Sequence, residues 1–303
     1  MTSVSFRQLL DALPKQAVAD SLVLAFQEEE VKGRERMALA IDQAGDKNST
    51  IDDAQRGRNF DLNRYHNVLP FDFNRVRLEG KHDYINASHI SLPAEISSNR
   101  YIATQGPLNH SVSDFWRMVW EQGTTAIVML ANPVEAGQTK CAVYWPTAIG
   151  QPLIAGNITV TLGSERALEM CPAVVVRKMV LQNTARGGAG RTVTQLHFTG
   201  WPDHGVPQSP VPMLQMIQEL RTNIQPSSDT PVVVHCSAGV GRSGTFIIID
   251  AAVDYFAKNS DYSGDLVCDA FKSLRSQRTL MVQTFSQYKF CYQTIIYMLN
   301  SRA

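Results

Sequence analysis

The stretch from Val232 to Ile249 constrains this chain more than any other. The β-branched run Val232-Val233-Val234 reads as a buried strand, and Phe246-Ile247-Ile248-Ile249 as part of a helix. Between them stand His235-Cys236-Ser237-Ala238-Gly239-Val240-Gly241-Arg242-Ser243-Gly244-Thr245, with a cysteine at the mouth of a glycine-rich turn. In a strand–loop–helix unit the successive backbone N–H groups can converge on one anion, helped by the positive end of the helix. The same field favours a thiolate at Cys236, below the ~8.5 of a free thiol. A nucleophile and an anion cradle therefore share one short loop.

A second motif overlaps the first. Gly239-Val240-Gly241-Arg242-Ser243-Gly244 also satisfies G-x-G-x-x-G between a strand and a helix, as a dinucleotide fingerprint would. Its context argues against that use. A bulky cation fills one variable position, and the motif sits about four-fifths of the way along the chain. Asp250 and Asp254 fall on the helix itself, away from the following strand end where a ribose would be read.

Composition excludes several other classes. Lys+Arg and Asp+Glu both count 28 in 303 residues, so no global basic field favours nucleic acid or a membrane surface. The cysteines (Cys141, Cys171, Cys236, Cys268, Cys291) are odd in number and widely spaced, which fits neither a disulfide framework nor a metal knuckle. A reduced, cytoplasmic setting is expected. Met1–Leu10 carries Arg7 and no apolar leader, and no stretch approaches the ~20 apolar residues of a membrane span.

Val18, Leu22, Leu24 and Phe26, with Glu28-Glu29-Glu30, predict an amphipathic helix. Its apolar face should dock on the main domain and its acidic triplet should be solvated. Residues 46–50 read as a polar linker. From Asn63 to about Tyr297 there is no boundary. The expectation is one domain over 1–303, with a core at about 60–298 and a helical extension over 1–59 packed on it. Strands are predicted at Tyr84–Ser88, Tyr101–Thr104, Ala126–Leu130, Ile158–Leu162, Val174–Val180 and Thr192–Phe198. Arg186–Arg191 reads as a hairpin loop, and Met213, Leu214, Ile217 and Leu220 as a helix behind Pro210 and Pro212.

The cysteine loop resembles the His-Cys-x5-Arg-Ser/Thr signature of the protein tyrosine phosphatases. Further segments extend the resemblance over nearly the whole chain from Asn63 onward. It implies an α/β (α+β) fold: a large, highly twisted mixed sheet flanked by helices on both faces. It also implies Cys236 as nucleophile and Arg242 as a planar fork on two phosphate oxygens. The backbone of Ser237, Ala238, Gly239, Val240 and Gly241 would cradle the phosphate. Ser243 would bond the sulfur, and His235 would tune the loop.

Trp201-Pro202-Asp203-His204-Gly205 is similar to the family's Trp-Pro-Asp loop, so Asp203 would protonate the leaving oxygen and later activate water, with Trp201 as support. Gln283-Thr-Phe-Ser-Gln287 looks like the glutamine loop, where Gln283 would place that water and Gln287 assist. Phe290, Cys291 and Tyr292 beyond it are expected in the core. Asn63-Arg64-Tyr65-His66-Asn67 resembles the phosphotyrosine-recognition loop. There the Tyr65 ring would deepen the pocket and Asn67 stands where many members carry Asp. Glu135 would orient Arg242, and Lys140 would approach the aspartate loop. Asp83–Ser88, Tyr101–Pro107 and Asp114–Arg117 resemble scaffold segments. One departure is Leu280, where the family often has glycine; it is expected to fill a secondary pocket and to crowd Gln283.

The resemblance thus implies hydrolysis of phosphotyrosine in proteins through a cysteinyl-phosphate, in signalling. It implies a monomer with no cofactor and no metal, and phosphate, vanadate or tungstate as active-site ligands. Two alternatives remain. A non-catalytic phosphotyrosine-binding module would need only the cradle, whereas Cys236, Arg242, Asp203 and Gln283 are all present. A dual-specificity or phosphoinositide phosphatase shares the cysteine loop, but Tyr65, the glutamine loop and the absence of lysine within Ser237–Gly241 argue against it.

Overall fold

Along the predicted strand, Val232 and Val234 are buried in one core cluster and Val233 in another. This alternation is what a strand sandwiched between two apolar layers produces. The computed structural model describes residues 5–13, 16–42, 50–202 and 205–301. Asp203 and most of the polar linker lie outside them.

The strands are β1 (Arg75–Arg77), β2 (Tyr84–Ser91), β3 (Arg100–Thr104), β4 (Ala126–Met129), β5 (Val134–Glu135), β6 (Gln138–Thr139), β7 (Pro152–Ala155), β8 (Ile158–Leu168), β9 (Cys171–Asn183), β10 (Arg191–Phe198) and β11 (Val232–His235). Nine of them form one mixed sheet in the order β1-β2-β3-β11-β4-β10-β9-β8-β7. The central strands β3, β11, β4 and β10 run parallel, and both flanks are antiparallel. β5 and β6 pair only with each other. All the predicted strands are present. β1, β5, β6 and β7 carried no legible pattern, being two to four residues long.

The helices are α1 (Phe6–Ala12), α2 (Gln16–Ile41), α3 (Asp52–Gln55), α4 (Gly57–Phe60), α5 (Val112–Glu121), α6 (Val211–Gln218), α7 (Gly241–Lys258), α8 (Leu266–Gln277) and α9 (Phe285–Asn300). Phe115, Trp116 and Val119 of α5 cover one face of the sheet with Ile102, Ile127 and Val233. α6 to α9 cover the other face, around Phe246, Ile248, Phe271 and Tyr288. Phe6, Leu22 and Phe26 join that second cluster, so α1 and α2 do pack on it. Leu24 does not: it is 59% exposed, on the outer side of α2. The acidic triplet also departs from expectation. Glu28 is solvated, but Glu29 is buried and Glu30 pairs with Arg275 of α8. No helix among the described residues is long and apolar enough to cross a membrane.

Candidate active site

In open sheets, ligands bind beyond the carboxyl ends of parallel strands. Here all four such ends converge. β3 leads to Gln105-Gly106, β11 to Cys236, β4 to Leu130 and on to Glu135, and β10 to Trp201-Pro202. They frame a cleft of about 450 Å³ lined by Tyr65, Asn67, Glu135, Lys140, Cys236, Ser237, Ala238, Gly241, Arg242, Gln283 and Gln287, among others.

Cys236 lies at its floor, 5% exposed. Its Sγ accepts hydrogen bonds from the Gly239 N–H at 3.3 Å and the Ser243 hydroxyl at 3.5 Å. Both donors are aimed at the sulfur from the loop and first turn that open α7, which starts at Gly241. Gly239 has φ +72°, and a Cβ there would lie 2.0 Å from the Thr104 carbonyl oxygen. Only glycine fits that turn. The Gly239 N–H is turned to sulfur, and Val240 is fully buried, outside the cleft lining.

His235 is fully buried beneath the loop. Its Nδ1–H donates to the Cys236 carbonyl at 3.1 Å, which leaves Nε2 to accept from the Tyr144 hydroxyl at 2.8 Å. The Tyr144 oxygen in turn accepts from the Gln195 amide at 2.7 Å. Burial pushes the His235 imidazole down to about 4, so it is neutral at physiological pH and acts as a fixed hydrogen-bonding post.

Arg242 and Glu135 form a bidentate pair, Nη1 to Oε1 at 2.6 Å and Nη2 to Oε2 at 2.8 Å. Nη1 also donates to the Leu130 carbonyl and Nη2 to that of Pro202. These bonds fix the guanidinium plane at the edge of the cleft. Trp201 is buried, and its indole N–H donates to the Gly205 carbonyl at 3.2 Å. That bond closes the base of the segment carrying Asp203, itself outside the described residues.

The Tyr65 hydroxyl lies 2.8 Å from Ser237 Oγ, which donates to the Lys140 carbonyl at 3.0 Å. The ring is thus tied to the cysteine loop as a wall of the cleft, with exposed Asn67 at the rim. Gln283 lines the cleft beside Gly241. Gln287 serves mainly as a brace. Its Oε1 accepts the N–H groups of Gln283 at 2.9 Å and Thr284 at 3.3 Å, completing the capping box of α9. Leu280 does not line the cleft; it packs on the core, half-buried. Cys291 is fully buried and its thiol is pushed well up, as expected of a core residue.

Sequence reasoning missed two arginines. Arg278 is fully buried behind the cysteine loop. It donates to the carbonyls of Gly239 at 3.0 Å and Ala238 at 3.1 Å, and to Asn86 Oδ1 and Ser88 Oγ of β2. Drawing the Ala238 carbonyl backward turns the N–H of the same peptide, that of Gly239, toward the Cys236 sulfur. Arg64 grips the carbonyls of Gly106 and Pro107 and so fixes its neighbour Tyr65. No local spacing signals either role.

Asp250, which the nucleotide alternative would have needed at a strand end, is buried on α7 and pairs with Arg221 and the Tyr101 hydroxyl. The family model for protein-tyrosine phosphatase matches residues 59–297. The chain is 40% identical over 250 residues to mouse (Mus musculus) tyrosine-protein phosphatase non-receptor type 4, covering 82% of this chain and 26% of that protein. Against mouse tyrosine-protein phosphatase non-receptor type 13 it is 41% identical over 244 residues, 78% of this chain and 9% of the relative. Mouse receptor-type tyrosine-protein phosphatase C is 36% identical over 303 residues, 96% of this chain and 22% of the relative. The chain therefore spans about a quarter or less of the length of these relatives. With the match running through every segment that frames the cleft, the chain belongs to the protein-tyrosine phosphatase family.

Proposed function

We propose that this chain hydrolyses phosphotyrosine in proteins in two steps. Cys236 Sγ attacks phosphorus in line as the P–O bond to tyrosine breaks, and Asp203 gives its proton to the leaving oxygen. Loop N–H groups and Arg242 take up charge on the equatorial oxygens. A water beside Gln283 then attacks the cysteinyl-phosphate and loses its proton to Asp203. The P–S bond breaks, phosphate leaves, and sulfur departs as a thiolate eased by Ser243. Lys140 serves the rim next to the aspartate segment. No step calls for a metal or cofactor.

The observation that carries this reading is one arrangement: a floor sulfur with two donors, beneath a wall made by Tyr65 and beside an arginine locked by Glu135. The depth supplied by Tyr65 favours phosphotyrosine over the shorter phosphoserine. Five free cysteines, all buried, and the non-receptor relatives support a reducing, cytoplasmic setting.

Hydrolysis of phosphotyrosyl and phosphoseryl forms of one peptide tests the proposal. Phosphotyrosyl turnover should exceed the other at least 10³-fold, about 4 kcal/mol of discrimination. It should vanish in Cys236→Ser, and kcat/KM should be bell-shaped in pH, set by an ionised Cys236 and a protonated Asp203. Equal turnover of the two peptides would favour a dual-specificity enzyme; no turnover of either would favour a binding module.

A further inference from the structure

The segment that delivers Gln283 to the cleft is strained. Leu280 and Val282 have φ +58° and +54°, the left-handed region that costs a side-chain-bearing residue roughly 1–2 kcal/mol. Such a turn persists only where its surroundings over-determine it. The chief restraint is Arg275 of α8, which is 2% exposed. Its Nε donates to the Met281 carbonyl at 2.6 Å and its Nη2 to the Val282 carbonyl at 2.9 Å. The two bonds flank Val282, and the second holds the peptide that joins it to Gln283.

Arg275 is itself held by the N-terminal helix. Glu30 Oε1 of α2 lies 2.5 Å from its Nη2, and Arg36 of α2 donates to its carbonyl at 2.9 Å. The guanidinium lies against the rings of Phe26, at 5.6 Å, and Phe271, at 4.9 Å, which stack on each other. Phe26 also packs on Phe285 and Tyr288, just beyond Gln283. Helix α2 thus supports the chain on both sides of Gln283. It lies outside the residues matched by the family model, 59–297.

We infer that Arg275, set by Glu30 and Phe26, is a positioning residue for Gln283, so that α2 governs hydrolysis of the phosphocysteine but not its formation. The chemistry explains why only one step responds. Forming the P–S bond needs Cys236 and Arg242, whose hydrogen-bond partners among the described residues are Gly239, Ser243, Leu130, Glu135 and Pro202, none of them on α2. Breaking it needs a water aimed by Gln283, whose backbone Arg275 fixes. The inference rests on the proposed role of Gln283 as the group that places water.

The test uses the full chain with p-nitrophenyl phosphate, combining rapid-mixing and steady-state kinetics. kcat/KM reports steps up to departure of the phenol; kcat and the burst report hydrolysis as well. Arg275→Lys keeps the charge and loses the fork, and Glu30→Gln keeps the shape and loses the ion pair. Each should lower kcat on the order of tenfold, within the ~10²-fold that a 1 Å misplacement can cost. KM should fall in step, kcat/KM should stay within about twofold, and the nitrophenol burst should rise toward one per enzyme. Gln283→Ala should show the same pattern more strongly, and Glu28→Gln, on the solvated side of α2, should resemble the parent.

A burst in Gln283→Ala without one in Glu30→Gln or Arg275→Lys would overturn the inference while leaving the role of Gln283 intact. A loss confined to kcat/KM would also overturn it, since that is the signature of a damaged first step. No burst in Gln283→Ala would instead remove the premise. Should Arg275→Lys fail to fold, Glu30→Gln decides alone, because it changes a partly exposed side chain without loss of volume.

Discussion

Two buried arginines three residues apart fasten the two halves of this site by different routes. Arg278 is sealed among Asn86, Ser88 and the carbonyls of Ala238 and Gly239, all within the catalytic core. Arg275 reaches the Gln283 segment, but its own position depends on Glu30 and Phe26 of a helix outside the family match. The cysteine loop is therefore built into the sheet and its helices, whereas the Gln283 segment is held from outside. On the proposed two-step chemistry, a protein arranged this way can vary hydrolysis of the covalent intermediate without disturbing attack on substrate.

The largest effect should come from Arg278→Lys. Burial brings the Arg278 guanidinium down to about 10, yet it stays charged at neutral pH. An ammonium on a flexible stem cannot satisfy four acceptors in a plane, and each buried acceptor left bare costs about 1–3 kcal/mol. The Ala238 and Gly239 peptides should then rotate. kcat/KM should fall on the order of 10²-fold, with a lower melting temperature. The contrast is with Arg275→Lys, expected to keep kcat/KM. If Arg278→Lys also spared kcat/KM, the two arginines would be equivalent braces and the comparison would fail.

The cysteine loop was legible because its chemistry is local: strand, glycines, cysteine and arginine fall within one short run. Glu135, Tyr65 and Gln283 were legible through resemblance, and all line the cleft. Arg278 and Arg275 were not, because a buried arginine is recognised by its partners, and those of Arg278 on β2 lie 190 and 192 positions away in the chain. Glu30 misled for the same reason. An acidic triplet on a helix is ordinarily a solvated face, and nothing nearby announces a cation on α8. The short strands failed differently, since two to four residues are too few for alternation to show.

A smaller effect separates the halves by pH. His235 supports only the nucleophile loop, and its burial pushes it from 6.5 to about 4; His197, buried beside Arg177, is likewise pushed down to about 4. Between those values the unfolded chain binds protons that the folded chain refuses. Stability is therefore full above pH 6.5 and is lost as pH falls toward 4, by about 1.4 kcal/mol per pH unit for each imidazole. Burial lowers His89 as well, so urea midpoints at pH 7, 6 and 5 should decline accordingly, and His197→Gln should remove part of the slope. A slope unchanged by that substitution would mean that other groups carry the acid sensitivity.

Leu280→Gly should have the smallest effect and the sharpest meaning. Glycine relieves the φ of +58°, worth roughly 1–2 kcal/mol. Against that, it surrenders the burial of a half-buried leucine, about 1 kcal/mol, and it gains entropy in the unfolded chain, about 1 kcal/mol more. These terms nearly cancel, so the melting temperature should scarcely move. The kinetic consequence depends on what aims Gln283. Leu280 packs on the core and the turn is gripped through the Met281 and Val282 carbonyls, which the substitution leaves in place. kcat and kcat/KM should then both stay within about twofold of the parent. A severalfold rise in kcat would show that the leucine does crowd Gln283. A severalfold fall, with a growing burst, would show that the leucine side chain shares with Arg275 the task of holding the turn.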